Sequence, residues 1–133
     1  MADKIKLSIP GQPEYQQVAR ITTGSVAAVA GLDVEKVDDI EVAIGEAWKL
    51  VTCHGHSLWG ESYELEIEVR DEKLVVTFSD KGTTHDIEKT CKQCARCPED
   101  GDLSVFVLNS LMDEVEMTSD DNGNRSIRMV KVR

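Results

Sequence analysis

Three regularly spaced cysteines are the residues of this chain whose types and spacing are most suited to chemistry. Cys91, Cys94 and Cys97 stand three residues apart in TCKQCARCPEDGD, residues 90–102, a stretch too polar to form core. Thiolates at short spacing bind zinc in a tetrahedral site or hold an iron–sulfur cluster. Three interpretations stay open from these residues alone: a metal or cluster site, a redox-active disulfide, and reduced thiols in an exposed loop.

Two carboxylates and a group of histidines are further candidates. Glu46 lies within a predicted helix, where the residue alone indicates a solvated surface carboxylate. Asp80 ends a predicted strand, where an aspartate on sequence alone could simply start a turn. The histidines could be metal ligands, although histidine is also common at helix C-termini without binding anything. They are His54, His56 and His85.

The elements that must position these residues follow from the periodicity of the apolar side chains. Alternating apolar and polar residues predict strands, whereas apolar residues three and four apart predict helices. A polar stretch of about 20 residues inside a compact domain is usually a functional loop or disordered. The expected order is a strand over 4–10, helices over 13–31 and 33–53, strands over 63–70 and 73–80, a polar loop over 81–102, a helix over 103–112, and strands over 113–119 and 125–133.

Apolar stripes predict which face of each helix is buried. The first helix carries its stripe at Tyr15, Val18, Thr22, Val26 and Val29. The second helix carries a clearer one at Val37, Ile40, Ile44, Ala47 and Val51. Gly31 is expected to end the first helix, and Asp33 is expected to cap the second. Both helices should therefore pack on a sheet through one face.

The predicted strands over 63–70 and 73–80 alternate between apolar residues and polar ones. The apolar side chains are expected to face the helices: Leu65, Ile67, Val69, Leu74, Val76 and Phe78. A tight hairpin turn is predicted over 70–73, and the Asn-Gly pair in DDNGN predicts another between the last two strands. Trp48 lies off the stripe of its helix, and we expect it at a ligand pocket, at a partner surface or at the edge of the core.

This order predicts an α+β fold, a two-layer sandwich with helices on one face of a mixed or antiparallel sheet, in a single domain over residues 1–133. The net charge of −10, from 15 basic and 25 acidic residues, disfavours nucleic acid and anionic membranes and favours a basic protein partner. The sequence has no run of about 18 apolar residues that could span a membrane, and its first residues lack the apolar stretch of a signal peptide. A cytoplasmic protein is expected.

Several strings resemble, in order, the anti-sigma factor serine kinases of bacterial stress and sporulation control. IPGQPEYQQVARITTGSVAAVAG resembles the first strand and helix of that family, and VEKVDDIEVAIGEAW resembles its second helix. VTFSDKG resembles the strand and Asp-x-Gly turn beneath the adenine, and LNSLMDEVEM resembles the helix and strand after the ATP lid. On these motifs the chain is identified as a member of this family, which belongs to the histidine-kinase-like (Bergerat-fold) ATPases.

The resemblance assigns roles to four residues of the nucleotide site. Glu46 stands at the position of the general base. Asp80 and Gly82 stand where the family binds adenine, the aspartate accepting from the amino group and the glycine admitting the ring. Leu50 stands four residues after Glu46, where the family has the asparagine that holds Mg²⁺. An alkyl side chain offers this hard cation no oxygen ligand.

The lid motif that cradles phosphates in the family is largely lost. The aligned string is Gly101-Asp102-Leu103-Ser104-Val105, so that Gly101 is the glycine that remains. Asp102 would add a carboxylate beside the phosphates, a repulsion of order 1 kcal/mol at close range. The resemblance therefore implies that ATP and Mg²⁺ bind weakly or not at all.

The same resemblance gives the cysteines a place in the molecule. Cys91, Cys94 and Cys97 fall in the lid, and Cys53 falls at the end of the helix that forms one wall of the pocket. The four thiols could converge on zinc or an iron–sulfur cluster. The spacing resembles part of a bacterial ferredoxin run but departs from it where Pro98 follows directly.

Three hypotheses about function follow. The leading one is an anti-sigma-type regulator that binds a sigma factor or an anti-anti-sigma protein, with a weakened nucleotide site. The second is an active ATP-dependent serine-protein kinase that uses Glu46 and phosphorylates an anti-anti-sigma factor. The third is a redox or metal sensor in which the lid cysteines control partner binding. Whether the chain is an enzyme stays open, and the family resemblance implies a homodimer.

Overall fold

The computed structural model describes residues 3–51, 62–80, 105–119 and 125–133. These ranges form a layer of helices on one face of a sheet, and α2 contacts the sheet at β3 and β5. A 3-10 turn at Pro13–Tyr15 precedes the first helix. The elements are β1 (Asp3–Pro10), α1 (Gln16–Val29), α2 (Val34–Val51), β2 (Ser62–Val69), β3 (Lys73–Asp80), α3 (105–111), β4 (Glu114–Ser119) and β5 (Arg125–Val132). The predicted α+β sandwich is confirmed.

The described strands form one five-stranded sheet in the order β1-β2-β3-β5-β4, in which all neighbours are antiparallel. The hairpin between β2 and β3 turns as predicted, because the Arg70 N–H donates to the Lys73 carbonyl at 2.9 Å. The strands β4 and β5 also pair antiparallel, although the predicted turn between them lies outside the described residues. The inward side chains of β2 and β3 form the floor of the core: Tyr63, Leu65, Ile67, Leu74, Val76 and Phe78.

Helix α2 folds on this floor through the predicted stripe. Ile40, Ile44 and Val51 are buried, and Val37 packs against the core from its edge. The helix begins where predicted, since the Asp33 carboxylate accepts a hydrogen bond from the Lys36 N–H at 2.9 Å. This is the N-cap contact that satisfies one of the unpaired donors of a first turn.

Helix α1 buries a different face from the predicted one. Val18 and Val29 of the predicted stripe are exposed, whereas the buried residues are small: Ala19, Thr23, Gly24 and Ala27. The reason is the close approach of α1 to α2, because a Cβ at Gly24 would overlap with the Glu41 side chain. A helix that comes so near its neighbour needs small side chains at the contact, so Val18 and Val29 point outward, while Val26 of the predicted stripe packs against the edge of the core.

Gly31 ends α1 as predicted. Its φ is +91°, a conformation that glycine adopts without a steric penalty. The Gly31 N–H donates to the Ala28 carbonyl at 3.0 Å and the Leu32 N–H to the Ala27 carbonyl at 3.1 Å. These two bonds satisfy the last carbonyls of the helix in a Schellman motif, and the buried Leu32 supplies its apolar contact.

Helix α3 is held at its C-terminal end by the last strand. The Lys131 ammonium donates to the Leu111 carbonyl and also lies 3.2 Å from the Asp39 carboxylate. The Asp113 carboxylate accepts a hydrogen bond of 2.6 Å from the Val132 N–H. A cation at the end of a helix is favourable because the carbonyl groups there carry partial negative charge.

Candidate functional site

Glu46 lies in the last two turns of α2, on a segment that α1 fixes in place. The Gln16 amide donates to the Gly45 carbonyl at 3.0 Å, so α1 is bonded to the residue directly before Glu46. The Glu46 side chain is 19% exposed and its carboxylate lies 3.4 Å from the Lys49 ammonium. The carboxylate is thus within reach of solvent or a ligand and beside a cation, an arrangement that a general base can use.

Leu50 lies one helical turn after Glu46. Its side chain is partly buried and packs against the core. The side chain therefore contributes to the interior and has no oxygen to offer a metal ion. Among the residues that the structure describes, no group of three or more His, Cys, Asp or Glu side chains could hold a metal ion.

Asp80 is the last residue of β3 and is 2% exposed. It pairs with Tyr63 of β2, and the alternation of the strand puts its side chain on the helix-covered face with Phe78. Burying a carboxylate is costly unless it has partners. The role that the family resemblance gives Asp80, as acceptor for the adenine amino group, stays a prediction.

An aromatic cluster links α2 to the strand end that carries Asp80. Trp48 stacks on Phe78 with ring centroids 5.3 Å apart and meets Tyr63 edge-on at 4.8 Å. Trp48 is only 3% exposed, so the predicted partner-surface role is wrong: the indole fills the core between α2 and the sheet. Its Nε1–H has no hydrogen-bond partner among the described residues.

Arg125 is a residue of this region that the sequence analysis did not single out. It is the first residue of β5, and its guanidinium donates to the Leu50 carbonyl at 3.0 Å. An arginine after a polar turn gives no local indication of such a contact, since the two residues are 75 positions apart. The contact places a permanent positive charge at the C-terminal end of α2.

The other predicted site residues lie outside the described residues. These are Cys53, Cys91, Cys94, Cys97, Gly82 and Gly101 together with the three histidines. The proposed convergence of the four cysteines and the loss of the phosphate-binding lid therefore stay predictions. Within the described ranges, no helix combines the length and the apolar character that a membrane span requires.

Comparison with known proteins identifies the family. The model for the histidine kinase-like ATPase domain matches residues 9–131. The serine-protein kinase RsbW of Listeria innocua is 30% identical over 132 residues, covering 91% of this chain and 83% of that protein. The chain belongs to the anti-sigma factor kinase family. Another member of this family, the serine-protein kinase RsbW of Oceanobacillus iheyensis, is 29% identical over 127 residues, covering 88% of this chain and 80% of that protein.

A solved structure supports the fold of this family member. The crystal structure of the SiaB-SiaC complex from Pseudomonas aeruginosa contains a chain that superposes with a TM-score of 0.58 at 10% identity, over 97% of this chain and 89% of that one. At so low an identity the similarity concerns the fold alone. The match agrees with helices on one face of an antiparallel sheet.

The anti-sigma factor kinase family implies ATP and Mg²⁺, and the described residues fit these two groups unequally. Asp80 is a buried acceptor of the kind that an adenine amino group requires. The helix position that carries Leu50 does not fit Mg²⁺, because the cation demands oxygen ligands in a near-octahedral arrangement. The described residues therefore suit the nucleotide base but not the metal ion.

Proposed function

We propose that this chain is a partner-binding regulator of the anti-sigma type whose Mg-nucleotide site is weakened or lost. The observation that carries the proposal is Leu50, which stands one turn after Glu46 and packs into the core. A regulator of this type acts by holding or releasing a protein, and this does not require phosphate transfer. The fold and Asp80 are retained, while the metal ligand is replaced by an alkyl group.

The proposed partner is a sigma factor or an anti-anti-sigma protein. The net charge of −10 suits a partner with basic segments, because complementary charge accelerates association and makes it sensitive to salt. A two- to fourfold increase in salt concentration should therefore slow association with such a partner far more than it accelerates dissociation. An association rate that does not change with salt concentration would show that charge complementarity does not drive recognition of the partner.

Isothermal titration with Mg-ATP tests the weakened site. We expect a dissociation constant no lower than about 100 μM, a binding free energy near −5.5 kcal/mol. The variant Leu50→Asn returns an amide oxygen to this position and should make binding tighter in the presence of Mg²⁺ only. Micromolar binding of Mg-ATP by the unaltered chain would contradict the proposal.

An active serine-protein kinase is the second candidate. It is favoured by Glu46, which keeps a carboxylate at the base position beside Lys49, and by the relatives, which are named serine-protein kinases. In this case Mg²⁺ would be held by phosphates and water. The test is transfer of labelled phosphate from ATP to a candidate protein substrate: transfer that Glu46→Gln abolishes, with Glu41→Gln as control, would establish the kinase.

The cysteines give a regulatory extension of the first proposal. We propose that Cys91, Cys94 and Cys97, with Cys53, bind zinc or an iron–sulfur cluster that orders the lid in place of phosphates. Structural zinc contributes roughly 10 kcal/mol or more to ordering small sites. Anaerobic purification without chelators, followed by metal analysis and an absorption spectrum, should detect the metal. A metal-free protein with four titratable thiols would contradict the proposal and show that these residues are ordinary reduced cysteines.

A further inference from the structure

The first residue of β5 lies at the same end of the sheet as Asp80. The hydrogen-bonded register of β3 and β5 ends with Ser79 opposite Ser126, whose hydroxyl oxygens are 2.9 Å apart. Continuing that register by one residue brings Arg125 opposite Asp80. Since side chains alternate along a strand, Arg125 shares the helix-covered face with the buried Ile127. A cation and a buried carboxylate therefore mark the same end of the core.

The position of the guanidinium is fixed by α2. Its Nη1 donates to the Leu50 carbonyl at 3.0 Å, one of the last four carbonyls of the helix, which have no partner within the helix itself. The contact is favoured by the partial negative charge of a helix C-terminus. A guanidinium has five N–H donors in a planar fork, and this carbonyl takes one of them.

Leu50 and Arg125 thus meet at one place, the C-terminal end of α2. The side chain of Leu50 offers no oxygen to Mg²⁺, while its carbonyl holds a group that is positively charged at every physiological pH. Arginine binds phosphate oxygens through paired hydrogen bonds without needing a metal ion. A guanidinium at this place can supply part of the positive charge that a divalent ion would bring to a polyphosphate.

We propose that Arg125 is an anion-binding residue of this pocket, which takes an adenine nucleotide in its metal-free form. Asp80 would accept from the adenine amino group and Arg125 would bind phosphate oxygens. The proposal rests on the proposed function, because it requires that the Mg²⁺ site at Leu50 is lost. Mg²⁺ is then a competitor of the guanidinium for the phosphate oxygens rather than a bridge between nucleotide and protein.

The test is a titration of the full-length chain with ADP, once in EDTA and once in excess Mg²⁺. We expect Mg²⁺ to leave the dissociation constant unchanged or to raise it. Arg125→Gln should weaken binding in EDTA at least about tenfold, which corresponds to the loss of a charge-assisted hydrogen bond. Arg125→Lys should retain part of the affinity, because it keeps the charge but not the fork. Arg128→Gln is the matched control, since Arg128 lies on the same strand and points to the opposite face of the sheet.

A second measurement separates binding from folding. The Nε–Hε resonance of Arg125, assigned by its absence from the spectrum of Arg125→Lys, should shift during the ADP titration in EDTA, whereas that of Arg128 should not. This readout uses the unaltered chain and is independent of whether Arg125→Gln folds. An Arg125 resonance that stays unmoved at saturating ADP would overturn the proposal.

The outcomes also distinguish this inference from the proposed function. If ADP does not bind under either condition, the anion-binding role of Arg125 is wrong, while the loss of the Mg-nucleotide site stands. If Mg-ATP binds at micromolar concentration and EDTA abolishes binding, both are wrong. Binding in EDTA that Arg125→Gln leaves unchanged would refute the role of Arg125 alone.

Discussion

The side chain of Leu50 packs against the core, at a helix position where the family resemblance places a ligand of Mg²⁺. The backbone around it is an ordinary helix, so the chemistry of the site depends on the side chain and not on the fold. Glu46, one turn earlier, keeps a carboxylate that the core does not bury. Two residues on successive turns of α2 therefore differ in the side chain that they present: Glu46 carries a carboxylate and Leu50 only apolar surface.

Ile44 should be among the residues of α2 that matter most for stability. Its side chain is buried against the sheet, so Ile44→Ala should lower the free energy of unfolding by about 2–4 kcal/mol, the usual cost of a large-to-small change in a core. Urea unfolding measures the loss. Val42→Ala is the matched control, because Val42 is 45% exposed on the same helix and its truncation should change stability by less than about 0.5 kcal/mol. Equal effects of the two variants would mean that the helix register is wrong.

The Glu68 carboxylate should contribute stability in a pH-dependent way. The hydrogen bond from Arg70 at 2.8 Å, against a smaller opposing effect of burial, holds the pKa of Glu68 below its ordinary value of 4.5. The folded state therefore favours the ionised carboxylate, and the contribution is present above pH 4.5 and is lost as pH falls through the lowered pKa. The unfolding free energies of the unaltered chain and of Glu68→Gln should differ at neutral pH and converge in acid. A difference between the two unfolding free energies that is the same at neutral pH and in acid would show that the ionised Glu68 carboxylate is not its cause.

At the scale of elements, α2 is held at both of its ends by side chains. Asp33 accepts from the first turn, and Arg125 donates to the last turn from a distant strand. Between these ends, the Gln16 amide bonds the Gly45 carbonyl from α1. The helix that carries Glu46 and Leu50 is thus positioned by one local contact and by two contacts from other elements. Loss of any of these contacts should lower the stability of the helix.

Removing the cap of α2 should have a measurable cost. Asp33→Ala leaves the Lys36 N–H without its side-chain acceptor, and we expect a loss of about 1 kcal/mol in the free energy of unfolding. Chemical denaturation followed by circular dichroism measures this. Asp33→Asn should retain most of the stability because asparagine caps helices as well as aspartate does. A loss for asparagine as large as that for alanine would point to charge rather than to the hydrogen bond.

At the scale of the whole molecule, an apolar groove lies between the N-terminal strand and the end of α1. It has a volume of about 420 Å³ and is lined by Asp3, Ile5, Ser25, Val26, Val29, Ala30, Val69 and Arg133. Val29 is 89% exposed there. Asp3 and Arg133 are oppositely charged, so two copies related by a two-fold axis could bring each aspartate to the arginine of the other copy. This groove is our candidate for the contact in the homodimer that the family resemblance implies.

The homodimer can be tested by placing a charge in this groove. Val29→Glu would bury a carboxylate in the contact, which is strongly unfavourable without a partner, and we expect the sedimentation coefficient to fall from that of a dimer to that of a monomer. Val34→Glu is the control, since Val34 is also highly exposed but does not line the groove. If the unaltered chain sediments as a monomer at micromolar concentration, the homodimer is wrong.

Periodicity and turn chemistry were sufficient to predict the order of the elements, the buried stripe of α2 and the two residues that delimit the helices, Gly31 and Asp33. These features depend on residues a few positions apart, and a stripe or a cap has the same physical cause in any protein. The positions of Glu46 and Asp80 on a helix and at a strand end followed from the same local patterns. That Leu50 stands in place of a metal-binding asparagine is what the family resemblance implies, and it stays a prediction.

Only the tertiary structure decided which face of α1 is buried, where Trp48 goes and what Arg125 contacts. Each depends on which surfaces meet. The close approach at Gly24 leaves Val18 and Val29 of α1 exposed, although their spacing predicts the reverse. Trp48 lies outside the apolar stripe of α2, yet its indole is buried between α2 and the sheet. The register of β3 with β5 brings Arg125 to the Leu50 carbonyl across 75 residues of chain, a distance over which no local pattern carries information.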